Sequence, residues 1–112
     1  MEVLKLRIEQ PTPDQAMVLV EETSTITASP DTWRVSVERT GKGVVCNPFQ
    51  ANGTRRSIDL PVVCEAGIEH RVVVMGLRRL GGKGGDSTGG YMVVSTGETS
   101  FIPGHWQGSF PY

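Results

Sequence analysis

Residues 64–77, Cys64-Glu65-Ala66-Gly67-Ile68-Glu69-His70-Arg71-Val72-Val73-Val74-Met75-Gly76-Leu77, constrain the fold of this chain more than any other stretch. A Gly-containing corner opens into Val72, Val73, Val74 and Met75, four apolar residues without alternation. A run so short, so rich in β-branched residues and bounded by a turn residue reads as a strand near the middle of a sheet. Side chains alternate faces along a strand, so His70, Val72 and Val74 share one side while Arg71, Val73 and Met75 share the other. At roughly 1.5–3 kcal/mol for each fully buried aliphatic side chain, this segment supplies a large part of the hydrophobic stabilisation. The expectation is an all-β domain with this strand at its centre.

The rest of the chain repeats the theme in shorter pieces. Thr32-Trp33-Arg34-Val35-Ser36-Val37-Glu38-Arg39 alternates most cleanly, with Trp33, Val35 and Val37 inward and Arg34, Ser36 and Glu38 outward, and stops at Thr40-Gly41-Lys42-Gly43. Leu4, Leu6 and Ile8 alternate with Lys5, Arg7 and Glu9 until Pro11 and Pro13 break the pattern. Strands are further expected over 16–22, 24–28, 55–60 and 91–95, with a short edge-like one over Val44-Val45-Cys46 closed by Asn47-Pro48. Asn52-Gly53 tolerates the positive φ angles of a hairpin turn. Residues 81–90, six of them Gly and almost free of side chains able to pack, read as a flexible loop. No internal repeat or helical heptad is visible. Fourteen glycines and seven prolines in 112 residues fit many short strands joined by tight turns and disfavour a helical bundle.

In their order and spacing these pieces resemble the fibronectin type III family. The 64–74 segment looks like that family's "Leu-x-Pro-Gly-Thr-x-Tyr-x-Val-x-Val" corner and strand, and Trp33-Arg34-Val35-Ser36-Val37 is similar to its "Tyr-x-Val-x-Tyr" strand. Gly82-Lys83-Gly84-Gly85-Asp86-Ser87 resembles its Gly-rich loop, and Val18-Leu19-Val20 with Thr23-Ser24-Thr25-Ile26 its opening strands. The resemblance covers about residues 12 to 96. His70 stands where the family has its corner tyrosine, and Ala28 and Ser29 fall where it has a core tryptophan. What it implies is an immunoglobulin-like β-sandwich of about seven strands over 12–96, with an extra N-terminal strand or arm over 1–11 and an irregular C-terminal arm over 97–112. Trp33, Val35, Val37, His70, Val72 and Val74 would be its structural core.

Chemistry is sparse. A net charge of −1 offers no uniform positive field for phosphates, which argues against a dedicated nucleic-acid binder. No apolar run has the length of a membrane helix, and charges within Met1-Glu2-Val3-Leu4-Lys5-Leu6 argue against a secretory signal, so cytoplasmic synthesis with Cys46 and Cys64 as thiols is expected. Spacing alone leaves a Cys46–Cys64 bridge open. Cys46, Cys64, His70 and His105 are the residue types of a zinc site, but they lack paired-ligand spacing. Lys83 is followed by Gly84 rather than by Ser or Thr, so the Gly-rich stretch is not a phosphate loop. Ser87 and Ser100 lack the spacing of a hydrolase nucleophile. Neither a catalytic site nor a cofactor is expected.

The two ends carry apolar side chains in excess of the sandwich's needs. Leu4, Leu6 and Ile8 on one side, and Phe101, Ile102, Trp106, Phe110 and Tyr112 on the other, are candidate partner-binding residues, by strand addition or aromatic anchoring. The competing reading folds both arms back onto the domain. The leading functional expectation is a non-enzymatic structural or adaptor protein locked into a larger protein assembly, such as a bacteriophage decoration, head-to-tail or tail protein, by analogy of fold. The alternative is a carbohydrate-binding module with Trp106, Tyr112 and Tyr91 as its platform; a hydrolase relying on His70 or His105 ranks last.

Overall fold

The computed structural model describes residues 2–12, 15–21, 30–41, 43–60, 67–80 and 90–103. They form eight strands: β1 (Glu2–Val3), β2 (Lys5–Thr12), β3 (Gln15–Glu21), β4 (Thr32–Arg39), β5 (Gly43–Asn52), β6 (Ser57–Leu60), β7 (His70–Arg79) and β8 (Tyr91–Phe101). Two sheets result, one of order β1-β8-β7-β4-β5 and one of order β2-β3-β6, packed face to face as a β-sandwich. The strand expected at the centre is there: β7 is the third of five, with β4 and β8 antiparallel on its two sides.

Alternation decides what is buried. His70, Val72 and Val74 turn inward from β7, and Trp33, Val35 and Val37 from β4; all six are fully buried. Trp33, Val35, Val37, Val72 and Val74 meet Ala16, Val18, Val20, Ile58 and Leu60 from the smaller sheet in one cluster. The Trp33 indole donates to the Arg55 carbonyl at 2.8 Å, which satisfies the polar end of the largest core side chain. The corner before β7 has Gly67 at φ +79°, the left-handed region that glycine occupies without cost, and its amide donates to the Pro103 carbonyl at 2.8 Å.

The N-terminal segment is not an arm. β1 runs parallel to β8 through Glu2–Ser95 and Val3–Thr96, and then the chain changes sheets at Leu4. Leu4 donates its amide to the Thr96 carbonyl (2.8 Å), is 5% exposed, and belongs to the core. Beyond it β2 pairs antiparallel with β3 and packs Leu6 and Ile8 against the same core. This corrects the assignment of Leu4, Leu6 and Ile8 to partner binding: their apolar face is covered by their own chain, and no break separates 1–11 from the sandwich. The C-terminal boundary moves as well, because β8 continues to Phe101. Gly97 permits this crossing, since a Cβ there would lie 2.7 Å from the Leu4 carbonyl oxygen and 2.8 Å from its Cβ.

Two turn-level expectations also change. β5 runs on through Pro48 because the β4–β5 register shifts between Val35–Phe49 and Val37–Cys46, which places the proline in a bulge, where no ladder donor is required. Asn52-Gly53 makes no hairpin: it links β5 in one sheet to β6 in the other. Asn52 Oδ1 accepts from the Thr54 amide (2.9 Å) and hydroxyl (2.8 Å), and Gly53 is needed because a Cβ would overlap the Pro30 carbonyl. The expected strand at 24–28, the loop at 81–89 and the pairing of Cys46 with Cys64 lie outside what is described.

Candidate functional site

Two surfaces stand apart from the plain sandwich, one at each end of β7. At the His70 end, Glu38, Arg71 and Glu98 come side by side from β4, β7 and β8 on the outward face. Arg71 donates to Glu38 Oε1 at 3.2 Å and, from Nε, to Glu98 Oε2, which also pairs with the guanidinium Nη2. The Glu98 hydrogen bond first, and the Glu38 bond second, hold the guanidinium pKa above its ordinary value. Thr40, Glu69, Thr99 and Ser100 complete an open polar depression of about 360 Å³, with the Thr40 hydroxyl 3.3 Å from Glu69 Oε1.

No imidazole among the described residues borders this depression. The one imidazole among the described residues, His70, faces the opposite side of β7 and is buried. Its Nδ1 donates to the Ile68 carbonyl at 2.8 Å, its Nε2 has no hydrogen-bond partner among the described residues, and its ring lies 5.4 Å from that of Phe101. Among the described residues no three His, Cys, Asp or Glu side chains converge as metal ligands, and no helix is long and apolar enough to cross a membrane. For the zinc reading, only the His70 ring can be placed, and it is sealed in the core beside Phe101.

The other end of β7 is different in kind. The β7–β8 register shifts between Gly76–Ser95 and Leu77–Val93, which makes Val94 a bulge on β8. Past it the hairpin overhangs the sandwich, and its residues lose cover. Leu80 is 51% exposed, Tyr91 44%, Met92 48% and Val93 37%, and Arg78 and Arg79 are exposed as well. Arg78 pairs across the hairpin with Met92 and Arg79 with Tyr91, so one face of the overhang carries Leu80, Met92 and Arg78 and the other Tyr91, Val93 and Arg79.

The backbone of the overhang is satisfied on one side. Leu80 donates to the Gly90 carbonyl at 2.9 Å, which makes Leu80–Gly90 and, two residues on, Arg78–Met92 the hydrogen-bonded pairs. Arg79 then points its amide away from β8, and Asp31 Oδ2 accepts it at 2.7 Å, beyond the start of β4. By the same alternation Tyr91 and Val93 aim their amides and carbonyls away from β7. On that side the pairing seen among the described residues is that of β1 with Ser95 and Thr96.

Of the residues singled out as partner-binding, Phe101 is half-buried over His70 and Ile102 is exposed, while Trp106, Phe110 and Tyr112 lie outside the described residues. Only Tyr91 of the three proposed sugar-platform rings can be placed, and it stands among Arg and aliphatic neighbours. Leu80, Met92 and Val93 were missed. The signal available for Met92 and Val93 was a β-strand with neither charge nor proline directly after a Gly-rich stretch. No family model matches the chain, and no curated protein is significantly similar to it.

Proposed function

We propose that this protein is a non-enzymatic binding or structural module whose role is to dock on other proteins within a larger assembly. The observation that carries this reading is the overhanging hairpin end, where Leu80 and Met92 are exposed on one face and Tyr91 and Val93 on the other. Adjoining exposed apolar side chains of this size on one projecting element mark an interaction surface. The Glu38–Arg71–Glu98 cluster supports the non-catalytic half of the reading, since two of the depression's three carboxylates are ion-paired with one guanidinium. The sheet orders β2-β3-β6 and β8-β7-β4-β5, with β1 added beside β8, support an immunoglobulin-like or fibronectin type III-like arrangement, a scaffold that commonly presents loops and edges to partners. Bacteriophage particles, with decoration, head-to-tail and tail proteins, are the kind of assembly in which such sandwiches serve as repeated parts.

The test is sedimentation of the native protein in an extract of its source. The wild-type chain should travel with a much larger particle, and a Met92→Lys, Val93→Lys variant should travel as a free 12.1 kDa chain while keeping its thermal melting transition. A wild-type protein that sediments only as the free chain would contradict the reading.

A further inference from the structure

We infer that the open β8 edge at Tyr91–Val93 accepts an extended, carboxylate-bearing strand of another protein, which adds beside β8 and continues the larger sheet. This rests on the docking function proposed above and names its chemistry. Three observations carry it.

The first is the asymmetry of the overhang. Its β7 margin is finished by the Asp31 carboxylate on the Arg79 amide, whereas its β8 margin presents the Tyr91 and Val93 backbone groups with no described partner. A row of unpaired amides and carbonyls is a template for strand addition.

The second is that this edge alone lacks the usual protection. Strand β2 carries Lys5, Arg7, Glu9 and Pro11, β5 carries Pro48 in its bulge, and β6 is four residues long with Asp59 outward. Charges, prolines and short length are what keep an edge from pairing. Tyr91-Met92-Val93-Val94 is as short as β6 but carries neither charge nor proline.

The third is charge. A strand added beside β8 lies about 4.8 Å from it and two strands from β7, within reach of a guanidinium that extends across β8. Arg78 sits on the Met92 face and Arg79 on the Tyr91 face, so whichever way the incoming strand turns its carboxylates, one guanidinium meets them. A second copy of the chain fits poorly: antiparallel β8–β8 pairing would draw four arginines toward one seam.

The experiment titrates the isotope-labelled chain with two synthetic octapeptides, alternating Val and Glu or alternating Val and Lys, and follows backbone amides by NMR. With the Val/Glu peptide, the Tyr91 and Val93 amides should shift and exchange with solvent more slowly. The Val/Lys peptide should bind at least about tenfold more weakly, and 0.5 M salt should narrow the gap between the two peptides. Val93→Pro removes one outward amide without touching the β7 ladder and should abolish the effect, and unchanged His70–Val74 resonances would establish that the variant is folded. Because a proline also restricts Met92, Val93→Glu, whose carboxylate repels those of the peptide, provides a second variant with the same expected loss. Equal binding of both peptides, no change at Tyr91 and Val93, or protection of those amides by self-association alone would overturn the inference. A protein that sediments with a large particle yet fails this titration retains the docking role and loses only the strand-addition mode.

Discussion

Gly76 faces Trp33 across the β4–β7 ladder with no space for a side chain: a Cβ at Gly76 would lie 3.0 Å from Trp33 Cζ3 and overlap the Ser95 hydroxyl. The largest core side chain therefore occupies room that a glycine on the central strand leaves open. Gly76→Ala should cost roughly 1–3 kcal/mol, the range for overpacking a filled site. Ser95→Ala removes the overlapping hydroxyl, so the double variant should melt above Gly76→Ala and show coupling of about 0.5 kcal/mol or more in denaturant titrations. Additive behaviour would mean that the contact at Ser95 is not what excludes the methyl.

The sheet change at Leu4 predicts that the N-terminus is structural. Leu4→Ala should destabilise by about 2–5 kcal/mol, as for other core Leu truncations. Deleting residues 1–10 removes one of the three strands of the smaller sheet and uncovers Val18 and Val20, so the truncated chain should lose its cooperative thermal transition. Gly97→Ala should weaken the same junction, because its methyl would press on Leu4.

Asp31 finishes the β7 margin of the overhang. Asp31→Ala should raise the exchange rate of the Arg79 amide and cost about 1 kcal/mol, while Asp31→Asn, which keeps an acceptor oxygen, should restore most of the protection.

The His70 ring ties the corner to the start of β7 through the Ile68 carbonyl. His70→Leu fills similar space but leaves that carbonyl unpaired in a half-buried setting, so stability should fall by about 1–3 kcal/mol on chemical denaturation. The loss should appear at the corner first, as faster exchange of the Gly67 amide.

Much of this architecture can be read from residue patterns, and the failures have physical causes. The unbroken Val72–Met75 run and the Trp33/Val35/Val37 alternation each report burial directly, so β7 and β4 are placed correctly with their faces. Leu4, Leu6 and Ile8 show only that a face is apolar; what covers it is a long-range fact, and here the cover is the chain's own core. Pro48 and Gly97 look like strand breakers because a pattern cannot distinguish a bulge or a close backbone approach from an end. The Asn52-Gly53 pair failed for a related reason: Gly53 is required for its missing Cβ against Pro30, not for a positive φ. The hairpin overhang was invisible because Tyr91–Val94 has the composition of a core strand. Only the register with β7 reveals that its first residues lie beyond the sandwich.

The most direct test of the docking account is amide hydrogen exchange at Tyr91 and Val93, measured in the isolated chain and again in its native assembly. In isolation these two amides should exchange rapidly while Val72 and Val74 on the central strand stay protected, and in the assembly Tyr91 and Val93 should become protected too. Equal exchange of Tyr91 and Val93 in both states would contradict the account.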